Sequence, residues 1–151
     1  MLRSSVRARE LGDILRPQTI FEQTEKLELP QDEVLETLEV LGGRGYLRLD
    51  VSGEGHLLFL RVTDYGFGKY AGTYIPHYDS AFRSVALDLV NHDRNNSRDV
   101  VEATELPAVL VEHVLNQFDR RGYIGMQTLG DSALIYIHTI SPELKRWLRD
   151  T

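Results

Sequence analysis

The same stretch of sequence occurs twice in this chain, and that repeat limits the possible folds more than any single motif does. A spacing of 77 residues aligns the two copies without a gap. Many positions have the same residue in both copies, among them Leu29 and Leu106, Pro30 and Pro107, Leu38 and Leu115, Gly45 and Gly122, and Tyr46 and Tyr123. The alignment continues from residues 57–60 to residues 134–137. A chain of 151 residues built this way is expected to form two small units.

Each copy predicts one helix followed by one β-hairpin. The proline near the start of each copy suits the first turn of a helix, where its missing N–H costs nothing. Apolar residues then recur every three or four positions, which predicts helices over residues 31–41 and 107–121. Their expected buried faces are Val34, Leu38 and Leu41 in the first copy and Val111, Leu115 and Phe118 in the second. Two strand-like runs around a glycine-containing turn follow, at residues 46–51 and 56–63 and at residues 123–129 and 133–140.

Further helices are expected on both sides of these copies. The apolar pattern predicts them over residues 4–15, 19–26, 80–91 and 97–104. Pro17 is expected to end the first of these helices. Residues 20–24 resemble residues 100–104, which leaves residues 25–27 as an insertion in the first copy. Thr63 and Ser141 are expected to begin the last helix of each copy. The predicted fold class is therefore α+β and mostly helical.

The order of these features resembles a known superfamily. The order is a helix, an exit through glycine, a Gly-Tyr-hydrophobic step and a hairpin. This order resembles the second half of a winged helix-turn-helix domain. The step is Gly45-Tyr46-Leu47 in the first copy and Gly122-Tyr123-Ile124 in the second. The chain thus resembles a tandem winged-helix protein. This resemblance implies two winged-helix units, residues 1–76 and 77–151, each a helical bundle with a two-stranded β-hairpin wing.

Charge and cysteine content exclude several classes of function. The formal net charge is −6 at pH 7, which is the wrong sign for strong, general binding of phosphates. The sequence has no cysteine, which excludes a disulfide framework, cysteine-ligated zinc and thiol catalysis, and fits the cytoplasm. Residues 1–16 hold four arginines and no long apolar run, so we expect no secretory signal and no membrane association.

No group of side chains predicts chemistry. The five histidines share no spacing that metal ligands use: His56, His77, His92, His113 and His138. The glycines of residues 42–45 follow a helix, whereas phosphate-binding loops precede one. We therefore expect a non-enzymatic protein with no catalytic residue, no metal and no cofactor.

The resemblance implies DNA as a candidate partner, because the third helix of a winged helix commonly enters the major groove. The first such helix holds Asp32, Glu33, Glu36 and Glu39 and no Lys or Arg, so it would repel phosphate. The second offers side chains that address bases or phosphates: His113, Asn116, Gln117, Arg120 and Arg121. The first hypothesis is a DNA-binding transcription regulator that reads DNA mainly through its second unit.

The alternative is a protein–protein assembly module that does not bind DNA, of the kind tandem winged helices form in chromosome-organising or trafficking complexes. A protein partner or a homodimer is expected in either case. The surface predicted for that contact is aromatic: Phe67, Tyr70, Tyr74 and Trp147. The same aromatic residues also fit a second interpretation, in which they pack inside the core.

Overall fold

The computed structural model describes residues 16–128 and 134–151, and within them the fold is α+β and mostly helical. The chain divides into two compact units, with the boundary between Tyr74 and Ile75. Each unit combines packed helices with one two-stranded antiparallel sheet, which confirms the predicted fold class. The helix predicted over residues 4–15 lies outside the described residues.

From residue 16 onward, the first unit runs helix, helix, hairpin, helix. Its elements are α1 (Pro17–Glu25), α2 (Gln31–Gly43), β1 (Leu47–Val51), β2 (Leu57–Val62) and α3 (Asp64–Tyr74). Pro17 begins α1, two residues before the predicted start of this helix, and the helix that Pro17 was predicted to end lies outside the described residues. Proline suits the start of α1 because it has the φ angle of a helix and lacks only an N–H that the first turn leaves unbonded.

Among the described residues, the second unit repeats this order after one further helix. Its elements are α4 (Tyr78–His92), α5 (Ser97–Thr104), α6 (Ala108–Arg120), β3 (Ile124–Thr128), β4 (Ile135–Ile140) and α7 (Pro142–Asp150). Asn96 caps α5, because its side-chain oxygen accepts a hydrogen bond from the backbone N–H of Asp99 at 2.9 Å.

The repeat extends to backbone conformations that the sequence pattern alone does not show. Glu28 and Glu105, which are 77 residues apart, both have a φ of 58°. Left-handed backbone is uncommon for residues other than glycine. Each of these glutamates precedes the Leu-Pro step that leads into α2 or α6. The chain therefore enters α2 and α6 through the same left-handed backbone conformation at the equivalent glutamate.

The two hairpins differ by one residue, and the structure shows where. In the second hairpin Gly125 pairs with Thr139 and Met126 pairs with Ile137, so His138 is the unpaired residue of a bulge. In the first hairpin the unpaired residue is Leu58, nearer to the turn. The spacing of 77 therefore holds as far as Ile137 and becomes 78 after His138.

In each unit, one side-chain hydroxyl at the end of the hairpin forms hydrogen bonds with the backbone at the start of the same hairpin. The hydroxyl of Thr63 donates a hydrogen bond to the carbonyl oxygen of Gly45 at 2.6 Å. It also accepts a hydrogen bond from the backbone N–H of Gly66, so Thr63 caps α3 as predicted. Ser141 donates to the carbonyl oxygens of Gly122 and Tyr123 at 3.0 and 2.9 Å. These contacts place the last helix of each unit against the start of its hairpin.

The core of each unit lies between the helices and the inner face of the hairpin. The predicted residues Val34, Leu38, Val111, Leu115 and Phe118 are buried, as expected. Leu41 is only half-buried, which corrects the prediction for the first unit. It lies on the last turn of α2, where the helix gives way to the glycine exit.

Candidate interaction surfaces

The predicted DNA-reading helix of the second unit, α6, is largely embedded in the core. Seven of its 13 residues are buried, and only 3% of His113 is exposed. The Nε2 atom of His113 lies 2.6 Å from the hydroxyl of Tyr78, and the imidazole meets the ring of Phe82 edge to face. The prediction that His113 addresses bases or phosphates requires an exposed side chain, and the burial of this imidazole contradicts it. The cause is α4, whose first turns cover this side of α6.

The remaining predicted DNA contacts on α6 are divided between interior and surface. Asn116 and Gln117 are half-buried, whereas Arg120 and Arg121 are exposed at the end of the helix. The guanidinium carbon of Arg121 lies 6.0 Å from the centre of the Phe82 ring, which places this cation over an aromatic face. The exposed carboxylate of Asp119 adjoins the two arginines in sequence. Cationic surface on α6 is thus confined to its last turn.

The corresponding helix of the first unit, α2, is exposed over most of its length. Only Val34 and Leu38 are buried in it. Its exposed face carries four carboxylates and no cation: Asp32, Glu33, Glu36 and Glu39. Asp32 and Glu36 are one turn apart, and like charges at that spacing destabilise a helix by about 0.2–0.5 kcal/mol. Val40 lies among these acids and is 48% exposed.

The outer face of the first hairpin carries the opposite charge. Arg48 and Arg61 are directly opposite each other across the two strands, and both are exposed. Like charges in that position repel each other. The carboxylate of Asp50 lies 3.8 Å from the Arg48 guanidinium and partly offsets this repulsion. Among the described residues, no carboxylate pairs with Arg61. Phe59, opposite Asp50, is 40% exposed on the same face.

The second hairpin has no charge at the matching positions. Gly125 and Thr139 replace the two arginines, and Gln127 and Tyr136 replace Asp50 and Phe59. The free edge of β4 is covered by residues 95–97, which lead into α5 and include its first residue. The N–H of Ile137 donates to the carbonyl oxygen of Asn95, and the N–H of Ile135 donates to the Ser97 hydroxyl. Sequence alone showed the repeat but not this difference in charge, which depends on strand pairing.

Exposed apolar side chains are concentrated in the first unit. Among the described residues, eight of the ten large hydrophobic side chains that are exposed belong to it: Leu27, Leu29, Val40, Val51, Leu58, Phe59, Tyr65 and Tyr74. The second unit contributes Leu87 and Tyr136. Scattered exposed apolar residues are ordinary, but this uneven distribution marks the first unit as the more apolar surface.

Of the aromatic residues predicted to contact a partner, some are buried inside the protein. Phe67 is only 3% exposed, so it belongs to the core and not to a surface. It faces inward because α3 packs against the start of the first hairpin. Tyr70 is half-buried beside Tyr74, which is 52% exposed, with ring centres 5.2 Å apart. Trp147 is half-buried and packs on the rings of Phe118 and Tyr123.

A groove between α4 and α5 is lined in part by Asp88, whose ion pair with Arg94 is the most buried of the described chain. Its polar lining includes Ser84, Asp88, Asn91 and Thr104. Asp88 accepts two hydrogen bonds from Arg94, at 3.0 and 3.2 Å. This contact raises the pKa of the Arg94 guanidinium above its ordinary value. The lining also includes His92, and the carboxylate of Asp88 is occupied by Arg94.

The structure holds no cluster of three or more potential metal ligands among residues 16–128 and 134–151. No helix in the same part of the chain is both long enough and apolar enough to cross a bilayer. No protein-family model, curated protein or solved structure matches this chain. The winged-helix resemblance therefore depends on the sequence repeat and on the helix–hairpin order described above.

Proposed function

We propose that this chain is a non-enzymatic protein–protein assembly module and that its first unit provides the main contact surface. The observation that carries the proposal is the exposed face of α2, which combines four carboxylates with the apolar side chain of Val40. Such a face favours a protein that offers cations around an apolar centre, because opposite charges orient a contact and apolar burial stabilises it.

The electrostatics of the third helices argue against DNA as the main partner. The phosphate contacts that release counterions come from Lys or Arg, and α2 has neither. In α6, His113 is buried and the two candidate base-reading amides are half-buried. Neither helix therefore offers the exposed row of cations and amides that insertion into a major groove requires.

A second candidate function is supported by one specific observation. Arg120 and Arg121 are both exposed at the end of α6. In a winged-helix arrangement this end could contact the DNA backbone, with Asn116 and Gln117 nearest to the bases. This is the transcription-regulator hypothesis, with the second unit as the reader of DNA.

A titration of labelled duplex DNA at about 50 and 200 mM salt separates these two functions. The assembly proposal predicts no salt-dependent binding, and the same result for a variant with Arg120→Ala and Arg121→Ala. DNA reading predicts binding that weakens with salt, with a slope reduced by up to about one unit per lost contact in that variant.

Amine-reactive cross-linking in cells gives the assembly proposal a positive test. The chain has three lysines, with exposed Lys26 and Lys69 in the first unit and exposed Lys145 in the second. Cross-links to another protein chain are expected through Lys26 and Lys69, and weakened cross-linking is expected for Val40→Asp. Cross-links through Lys145 alone, together with salt-dependent DNA binding, would overturn the proposal.

A further inference from the structure

Two surfaces of the first unit have opposite charge and similar design. The acidic patch consists of Glu33, Glu36, Glu39 and Val40 on α2, and the basic patch consists of Arg48, Phe59 and Arg61 on the first hairpin. Each patch has charges of predominantly one sign around one exposed apolar side chain. Val40 is 48% exposed and Phe59 is 40% exposed.

The charges of both patches remain largely unpaired within the described chain. The four carboxylates of α2 form no ion pair among those residues, and neither does Arg61. Arg48 has only Asp50, and it stands directly opposite Arg61. Both patches therefore carry repulsion between like charges, which an oppositely charged surface would relieve.

We propose that the occupant of these patches is a second copy of this chain, with the acidic patch of one copy against the basic patch of the other. The inference rests on the proposed assembly function and names the partner. Each copy carries one patch of each sign, so a two-fold arrangement makes the same contact twice. Charge complementarity favours another molecule of the same chain as the partner, because the first unit of that molecule presents the required cations around Phe59.

The second unit supplies a matched control surface. Gly125 and Thr139 occupy the positions of Arg48 and Arg61, and Tyr136 occupies that of Phe59 with a similar exposure of 42%. A contact that depends on the arginines cannot form there. Tyr136→Ala therefore removes a similar aromatic side chain without touching the proposed interface.

Sedimentation equilibrium of the full chain at low and moderate salt tests the proposal. The wild type is expected to dimerise reversibly, and added salt is expected to weaken the dimer. Glu36→Arg alone or Arg61→Glu alone should weaken dimerisation about tenfold or more, because each places like charges in contact twice. Phe59→Ala should weaken it as well, whereas Tyr136→Ala should not.

Exchanging the charges at positions 36 and 61 gives a more specific test of the proposed contact. A chain carrying both Glu36→Arg and Arg61→Glu should regain dimerisation relative to either single variant, and a mixture of the two single variants should form a mixed dimer. Circular dichroism establishes that each variant is folded. A wild-type chain that stays monomeric, or a dimer that ignores all these changes, would overturn this inference. The assembly function itself would be overturned only by the cross-linking and DNA results, so the two failures are distinguishable.

Discussion

At the scale of single residues, the backbone of a neighbouring element decides which side chain is tolerated. Gly66 lies in the first turn of α3, and a β-carbon there would collide with the backbone of Tyr46. Gly66→Ala is therefore expected to destabilise the first unit by about 1–3 kcal/mol, since the helix must move away from the hairpin. Urea unfolding followed by circular dichroism measures this change.

Gly72, in the same helix, is the matched control for that prediction. A β-carbon at Gly72 would have no atom within 4 Å, so Gly72→Ala should be neutral or stabilising by up to about 1 kcal/mol. Equal effects of the two substitutions would show that α3 does not pack against Tyr46 as described.

Core leucines at equivalent positions of the repeat should contribute similarly to the free energy of unfolding. Leu38 and Leu115 are both fully buried, so replacing either with Ala should reduce the free energy of unfolding by about 2–5 kcal/mol. The exposed residues Leu27 and Leu87 are controls, and their replacement by Ala should cost less than about 1 kcal/mol. Thermal melts in which Leu115→Ala matches Leu87→Ala would contradict the assigned core.

At the scale of elements, most of the architecture follows from short-range rules. The periodicity of Val34 and Leu38 predicts α2, and the glycine turns predict both hairpins, because spacing and turn chemistry are local properties. The bulge at His138 and the repulsive pairing of Arg48 with Arg61 could not be predicted, since they depend on strand register. The burial of His113 likewise depends on how α4 crosses α6.

The first turn of α7 offers a test of charge at a helix end. The pKa of Glu143 lies below its ordinary value, first because its own backbone N–H donates to the carboxylate, with a smaller contribution from Arg146. A lowered pKa means that this carboxylate stabilises the fold above its ordinary pKa and stops doing so as pH falls through the lowered value. Glu143→Gln should therefore lower the melting temperature near pH 6, and this difference should disappear as the pH falls below the ordinary pKa of the carboxyl group. A difference that grows on acidification would contradict the assigned contacts.

At the scale of the whole molecule, one architecture is used twice with different surfaces. The first unit exposes an acidic helix, an arginine-bearing hairpin and most of the exposed apolar side chains of the described chain. The second unit buries more than half of α6 and exposes two arginines at the end of that helix. The repeat predicted the architecture but not the site, because fold depends on apolar spacing whereas binding depends on which side chains remain outside.

Hydrogen–deuterium exchange of the full chain, measured at low and high protein concentration and again with duplex DNA, tests most directly where this protein makes contacts. High protein concentration should slow exchange in α2 and the first hairpin, while DNA should leave α6 unchanged. Slower exchange confined to α6 and α7 on addition of DNA, with no effect of protein concentration on α2, would contradict the assignment of the first unit as the contact surface.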